Sequence, residues 1–478
     1  MQPLAALDPA LVQAIDDAFQ NWPVPGFALA CVVNGRHYTL CRGTRAAHAD
    51  LPVTESTLFE MCSGSKAFTA LALAGQVAQS RAHWDDPVRR HLPDFRAFDA
   101  GLTNTITLRD VLSHRVGLST DLPGACGLAP GIGREAAIHR YHAFEPRLPF
   151  RAGFAYDNMG YAVAHAAVLS LTGTLQAALE PALSVLGFQD THFDCLRFHA
   201  DPTRAQGHLG AGEDPPAKVP VWPDDAGASN TYMSARDAAC WLSFNLAQHR
   251  DQGPLPAWQA AIREMHEPHA LVGPDQRRLS FNSPRSVMHG YGLGWAVTDL
   301  CGDRFVLHGG AMPGCRAWLG FLPARGIGVA VFNNASRPLT SALGHLVVEW
   351  LLGMPRQDWA AIGQATYQRI VEKTRRSYDE MTAAAVPNAE PARPRPGRYT
   401  QAAAGPLDVE VHPEGGLRLH FPDAPFWNGV LAGAGPTPRL LFDDPCATDI
   451  FEGVLPPVWL ERGGRRLHIA NFGEFDAT

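Results

Sequence analysis

The sequence predicts an α+β chain, an antiparallel sheet covered by helices and followed by a small all-β barrel. Three observations carry this. An apolar hairpin near the N-terminus and a three-strand meander near residue 305 are separated by Ala- and Leu-rich helical stretches, an order that lays helices over one antiparallel sheet. At 478 residues and 46% hydrophobic content the chain can bury a large core. After the Pro-rich stretch "AAAVPNAEPARPRPG" the apolar pattern changes to strict alternation, the mark of half-buried strands. The predicted units are therefore 1–382, a linker at 383–397, and a barrel at 398–478.

Taken in order, Asp8 and Pro9 read as the N-cap and first residue of a helix, with Leu11, Ile15 and Phe19 on one face. "FALACVVNGRHYTLCRG" reads as two strands joined by Asn34-Gly35, a strong hairpin signal. Helices are predicted at 64–80, 107–113, 159–172 and 234–248. "RFVLHGGAMPGCRAWLGFLPARGIGVAVFNN" reads as three strands, with turns near Pro313-Gly314 and at "PARG". In the C-terminal part, Leu407, Val409 and Val411 alternate with polar residues. A "PEGG" turn follows, then Leu417, Leu419 and Phe421, and "PVWLERGGRRLHIANF" repeats the pattern.

Composition narrows the function. A net charge of −7 without a basic block argues against nucleic acid as a partner. The N-terminus lacks the basic and apolar regions of a secretory signal, and no apolar run reaches the roughly 18 residues of a membrane span. Nine cysteines, an odd number without CxxC spacing, fit reduced thiols and a cytoplasmic location.

Of 40 basic residues only Lys66, Lys218 and Lys373 are lysine. Lys66 stands three residues after Ser63 in "MCSGSKAFTA", at the head of an apolar helical run, and residues at i and i+3 share a helix face. A serine hydroxyl is a weak nucleophile until a base takes its proton. Burial can depress a lysine enough to make it that base, whereas arginine stays protonated. In a chain that otherwise prefers Arg, Lys66 marks a place where a proton must leave. A capping Ser beside a surface Lys is the plainer alternative.

Two further pieces follow. Tyr156-Asp-Asn158 precedes another apolar helix, and in an extended segment Tyr156 and Asn158 project to one side. A phenol there can relay a proton and an amide can hold both the lysine and a substrate. His308-Gly309-Gly310 ends an apolar strand, where glycines admit a ligand close to the backbone and a strand N–H can pair with that of Ser63 as an oxyanion hole. Taken singly, each reads more simply as a loop or a strand end.

The order Ser-x-x-Lys, Tyr-x-Asn, His-x-Gly, spaced by about 90 and 150 residues, resembles the serine hydrolases that include class C β-lactamases, serine DD-peptidases, D-aminopeptidases and β-lactamase-like esterases. "ITLRDVLSHRVGLS" and "GASNTYMSARDAACWLSF" resemble the family as well, and the resemblance spans roughly residues 5–355. It implies a β-lactamase/transpeptidase-like domain, with Ser63 as acylated nucleophile and Lys66 as its base partner. It also implies Tyr156 as relay, Asn158 as positioning group, His308 at the third motif, and an oxyanion hole from the N–H groups of Ser63 and Ala311. Gly309 and Gly310 would line the substrate site. The C-terminal module resembles the lipocalin-like barrel of some D-aminoacyl peptidases and penicillin-binding-protein-like cyclases. The family's Lys-Thr-Gly is replaced by His308-Gly309-Gly310, which removes a cation and a hydroxyl that grip a substrate carboxylate.

Three other motifs carry less. "HEPH" (266–269) lacks HExxH spacing, and Pro268 breaks the helix a zinc site needs. "GHLGAG" (207–212) neither follows a strand nor opens a helix. "ERGGRR" (461–466) reads as a hairpin turn, with Arg462, Arg465 or Arg466 reaching a substrate carboxylate as the lesser alternative. The expectation is a cofactor-independent serine acyl-transfer hydrolase for esters or amides, on small molecules or short, D-configured peptides. The alternatives are a thioesterase-like peptide cyclase, a β-lactamase, and a non-catalytic binding protein. The oligomeric state is left open.

Overall fold

A computed structural model describes residues 2–3, 8–118, 134–209, 231–278, 280, 282–385, 394–402, 404–413, 415–433, 437–444, 447, 454–461 and 465–478. Before the linker the strands are β1 (Gln2–Pro3), β2 (Gly26–Val33), β3 (Arg36–Gly43), β4 (Phe59–Glu60), β5 (Tyr232–Met233), β6 (Ala270–Leu271), β7 (His289–Tyr291), β8 (Ala296–Leu300), β9 (Asp303–Met312), β10 (Cys315–Leu322) and β11 (Ile327–Asn333). Nine of them form one sheet in the order β1-β3-β2-β11-β10-β9-β8-β7-β6, and β4 pairs with β5 apart from it. Every neighbour is antiparallel except β1 on β3. The hairpin turns at Asn34 and Gly35, with φ of 50° and 79°, the left-handed pair that a tight two-residue turn of this twist requires.

Alternate residues of the central strands enter two different cores. On β2, Ala28, Ala30 and Val32 face one core, while Phe27, Leu29 and Cys31 face the other. A sheet covered on both faces explains why these strands are continuously apolar. Helices Pro9–Gln20 and Leu339–Leu351 cover one face; Ala235–His249 lies on the other. Beneath the latter runs helix Lys66–Ala78, buried at every position from Lys66 to Gln76. Phe68 of this helix stacks on Trp241 at 4.4 Å. The predicted helical stretches settle as Lys66–Ala78, Leu108–Leu112, Asn158–Thr172 and Ala235–His249.

The C-terminal strands are β12 (Gly397–Gln401), β13 (Gly405–Val411), β14 (Leu417–His420), β15 (Gly429–Ala432), β16 (Arg439–Phe442), β17 (Val458–Leu460), β18 (Arg466–Ile469) and β19 (Gly473–Ala477). They form an antiparallel sheet in the order β16-β15-β14-β13-β12-β19-β18-β17. The bonds Leu440 N–H to Pro456 O (2.9 Å) and Val458 N–H to Pro438 O (2.8 Å) bring its two edges together as a nearly closed barrel. Leu407, Val409, Leu419, Trp427, Leu467 and Phe475 fill the interior. Val411, expected inward, is 65% exposed because it ends β13 beside the His412–Gly416 turn.

Helix Trp359–Ala385 leads towards the barrel, so the first three residues of the Pro-rich stretch are helical; residues 386–393 lie outside the described residues. Asn471 donates to the Tyr378 hydroxyl (2.6 Å), and Arg439 pairs with Asp379 (3.0 Å). Arg140, at the end of helix Arg134–Arg140, pairs with Asp423 of the barrel (2.6 Å). Among the described residues no single helix is long and apolar enough to cross a membrane.

A Cβ on Gly35 would meet nothing within 4 Å, so Gly35→Ala isolates the backbone term. The expected loss is about 1–2 kcal/mol, read as a lower urea midpoint with an unchanged slope.

Candidate active site

The chain leaves β4 through a 3-10 turn, Cys62–Ser65, and enters helix Lys66–Ala78. Two hydrogen bonds tie this turn to the segment before β5: Met61 N–H to Thr231 O (2.9 Å) and Thr231 N–H to Ser65 Oγ (2.9 Å). Cys62 sits at φ 49°, a left-handed conformation that costs a non-glycine residue about 1–2 kcal/mol and holds only where neighbours enforce it. The result presents Ser63 half-buried at the helix start, with Lys66 Nζ donating to Ser63 Oγ at 3.1 Å.

Lys66 is fully buried. Burial drives its ammonium down from 10.5 to about 7, against the opposing pull of Asp157 and Cys62. Its amine lies 5.0 Å from the Tyr156 ring centre and 5.3 Å from that of Tyr161. Lys373 is exposed on helix Trp359–Ala385, and Lys218 lies outside the described residues. Of the two described lysines, the buried one is beside the serine.

Tyr156, Asp157 and Asn158 lie at the start of helix Asn158–Thr172, which packs on helix Lys66–Ala78. His114 holds their segment twice: its carbonyl accepts from Ala155 N–H (2.8 Å), and its Nδ1 accepts from Asp157 N–H (2.9 Å). The His114 ring lies 4.3 Å from that of Tyr156. Burial pushes the Tyr156 phenol above its ordinary value, while a hydrogen bond with Ser63 pulls the other way. Asp157 caps helix Asn158–Thr172, accepting from Met159 N–H at 2.9 Å. Asn158 is therefore the first helical residue rather than part of an extended segment, and its buried Oδ1 has no hydrogen-bond partner.

The third side of the site is β9. Its pairing with β8 stops at Leu307, so residues 308–312 have β10 on one side only. Gly310 presses on the Cys62–Ser65 turn: a Cβ there would lie 2.3 Å from Met61 O and 3.1 Å from Ser63 N. Ser280 packs equally tightly on Gly309. Ala311 is exposed between buried neighbours. His308 is fully buried; its Nδ1 donates to Gly309 O (2.6 Å) and its Nε2 accepts from the Tyr291 hydroxyl (2.9 Å). Burial and Lys66 hold this ring down at about 3, so it is neutral at physiological pH.

The structure thus brings Lys66, Tyr156 and Gly310 up to Ser63, with Asn158 two residues beyond Tyr156 and His308, Gly309 and Ala311 beside Gly310 on β9. The remaining motifs lie elsewhere. His266 is buried against Phe321 and His249. Arg466 pairs with Asp476 (2.9 Å) and Glu474 (3.1 Å) within the barrel. Arg465 is exposed on the same strand edge, while Arg462 and residues 210–212 lie outside the described residues. Among the described residues no group of three or more His, Cys, Asp or Glu could hold a metal ion. Sequence reasoning passed over His114, Tyr141, Asp157 and Tyr291; of these only Asp157 left a local signal, an acidic residue at a helix N-cap.

An antiparallel sheet between helices, with a serine and a buried lysine at the head of the central helix, defines a serine hydrolase of the β-lactamase/transpeptidase fold. Residues 12–352 match the Beta-lactamase family, and the chain belongs to that family. It is 26% identical over 381 residues to "Unguisins hydrolase ungD'" of Aspergillus campestris, across 74% of this chain and 67% of that protein. It is 27% identical over 323 residues to penicillin-binding protein 4 of Amycolatopsis lactamdurans, across 65% and 81%. Two solved structures share the fold at 19% identity. The octameric penicillin-binding protein homologue from Pyrococcus abyssi superposes with a TM-score of 0.62 over 98% of this chain and 99% of that one. A class C β-lactamase from Rhodobacter sphaeroides superposes with 0.56 over 72% and 99%.

Because Lys66 falls from 10.5 unfolded to about 7 folded, the native state binds fewer protons across that window, and stability rises with pH through it. Lys66→Met removes the burden. It is expected to raise stability by about 1–4 kcal/mol, most below pH 7 and progressively less towards pH 10.5, as checked by melting curves across that range.

Proposed function

We propose that this protein is a serine acyl-transfer hydrolase in which Ser63 forms the acyl-enzyme and Lys66 is its base. The single observation that carries the reading is a fully buried amine, poised near pH 7, donating to Ser63 Oγ at 3.1 Å. A base works best when its pKa lies near the working pH. Tyr156 is the competing candidate, but burial moves its phenol upward and away from that range. Lys66 therefore takes the Ser63 proton as Oγ bonds to the acyl carbon. The N–H groups of Ser63 and Ala311 receive the oxyanion, the role for which β9 is pressed against the turn at Gly310. The proton passes to the leaving group through Tyr156, which hydrogen-bonds with Ser63. A water molecule then gives its proton back along the same route and releases the acid.

Asn158 Oδ1, buried and unpartnered, is the acceptor offered to a substrate N–H, which suits amides and short peptides. His308, buried and neutral, acts by fixing β9 through Gly309 O and Tyr291 rather than by gripping a carboxylate. The Aspergillus relatives are named as hydrolases of unguisins, which supports water as the final acceptor. The barrel is proposed to shape access to the site, and the partition at 383–397 to separate it from the chemistry.

Two outcomes test this. With a p-nitrophenyl ester, acylation should show an acid limb centred near pH 7, and in Lys66→Met should fall by roughly 10²–10⁴-fold, the worth of a positioned base. Retention of more than about a tenth of the rate in that variant rules out Lys66 as the base. Nitrocefin, lacking a cation at His308-Gly309 to meet its carboxylate, should turn over more slowly than the best ester in the same stopped-flow assay.

A further inference from the structure

Beside the Ser63 turn lie two thiols that the acyl-transfer chemistry does not use. Cys62, the residue before Ser63, and Cys315, the first residue of β10, are buried free thiols with their sulfurs 3.7 Å apart. Met312 packs with both. The Glu60 carbonyl lies 3.6 Å from the Cys62 sulfur, and Glu60 Oε2 lies 3.6 Å from that of Cys315. The other carboxyl oxygen, Oε1, is buried and has no hydrogen-bond partner among the described residues. Glu60 and Cys315 also line one small cavity, beside Phe59, Phe198 and Asn334. About 10 Å³ of it is open to the centre of a water-sized molecule, room for a single water. An oxidant of glutathione's size is shut out, and peroxide is the one nearest to that size.

We propose that Cys62 and Cys315 form an oxidation site, a dithiol that hydrogen peroxide closes to a disulfide and that thereby switches off acylation at Ser63. The bond itself does not depend on Ser63 being the nucleophile; its effect on acylation rests on that reading. Cys315 lines the cavity, so its sulfur meets peroxide first. The sulfur attacks one peroxide oxygen, the O–O bond breaks, and the thiol proton leaves with the other oxygen as water, giving a sulfenic acid. The Cys62 sulfur then attacks the Cys315 sulfur, the S–O bond breaks, and the Cys62 proton leaves with the hydroxyl as a second water. The two thiols lose two electrons and the peroxide gains them. Burial holds the Cys62 thiol above its ordinary value, and the contact with Cys62 together with burial does the same for Cys315. Thiolate is therefore scarce, which makes this a slow response to sustained peroxide.

A disulfide holds its sulfurs at about 2.05 Å, so from 3.7 Å they must close by roughly 1.6 Å. Arg316 fixes the Cys315 end, donating to Met312 O (2.7 Å) and Cys315 O (2.9 Å). The movement falls on Cys62, whose backbone continues into Ser63. A displacement of about 1 Å at a reacting group can cost about 10²-fold in rate.

The test is peroxide treatment of the full-length protein, followed by p-nitrophenyl ester acylation and by a tryptic map without reductant. The map should show peptides 46–66 and 305–316, each holding one cysteine, joined and two hydrogens lighter than their sum. Acylation should fall at least about tenfold as the joined species accumulates, and dithiothreitol should restore it. Cys315→Ser keeps the side chain's size and should keep the reduced-state rate while losing the sensitivity. No joined peptide, or a joined peptide with acylation unchanged, overturns the proposal. So does a loss of rate that dithiothreitol does not reverse or that Cys315→Ser retains. If Cys315→Ser fails to fold, the peptide map and the reversal in the wild type decide alone. Labelling of the untreated protein at Ser63 by a fluorophosphonate separates the two levels. Labelling without a joined peptide leaves the acyl-enzyme standing and removes the thiol site; an unlabelled Ser63 overturns both the nucleophile and the switch.

Discussion

A primary amine kept out of water is the constraint around which the site is built. Solvated, Lys66 would be an ordinary cation. Buried, it sits near neutrality, because the surroundings withhold most of what water would give an ammonium. That withholding requires a helix apolar on every side, and residues 66–76 are all buried. It also requires a lid that is neither wet nor strongly charged. The rings of Tyr156 and Tyr161 lie about 5 Å from the amine, and among the described residues Asp157 and Cys62 oppose the effect of burial without cancelling it. The site is destabilised by design, in the sense that packing elsewhere must outweigh it.

The second dependency is steric. The left-handed Cys62 and the tight turn after it hold their shape because Thr231, just before β5, bonds to one side and Gly310 presses on the other. The overhang of β9 past β8 serves the same end. A strand paired on both sides at residues 308–312 would have no free edge to offer a substrate. His308 belongs to this scaffold. Its buried ring links Tyr291 on β7 to Gly309, so the side chain at this position holds the strand in shape.

What could be read from the sequence follows the range of the forces involved. The Asn34-Gly35 hairpin, the Ser63–Lys66 pairing and the three-strand meander are set by neighbours within a few residues, and their spacing exposed them. Alternation announced the barrel strands, and it failed at Val411 only because a strand end leaves the barrel there. The contributions of His114, Tyr141 and Tyr291 depend on contacts between residues 16 to 43 apart in the chain, so no local pattern contained them. Asn158 shows the intermediate case. Its motif was visible, but treating it as extended missed the cap that Asp157 supplies, which begins the helix one residue early. His308 was legible as a motif position and illegible as a buried side chain, because burial there is decided by the packing of β7 and β9.

The sheet order has a consequence for synthesis. β2 pairs with β11, and Gly310 follows Ser63 by about 250 residues. At roughly 5–20 residues per second, a ribosome would have exposed the serine and lysine for roughly 10–50 s before the strand that closes over them exists. During that interval the amine is hydrated and fully protonated at neutral pH, and the turn has nothing to hold its left-handed residue. The nascent chain therefore carries Ser63 without its buried amine until β9 is made, and the assembled site arrives with the last strands of the sheet rather than with the motif itself.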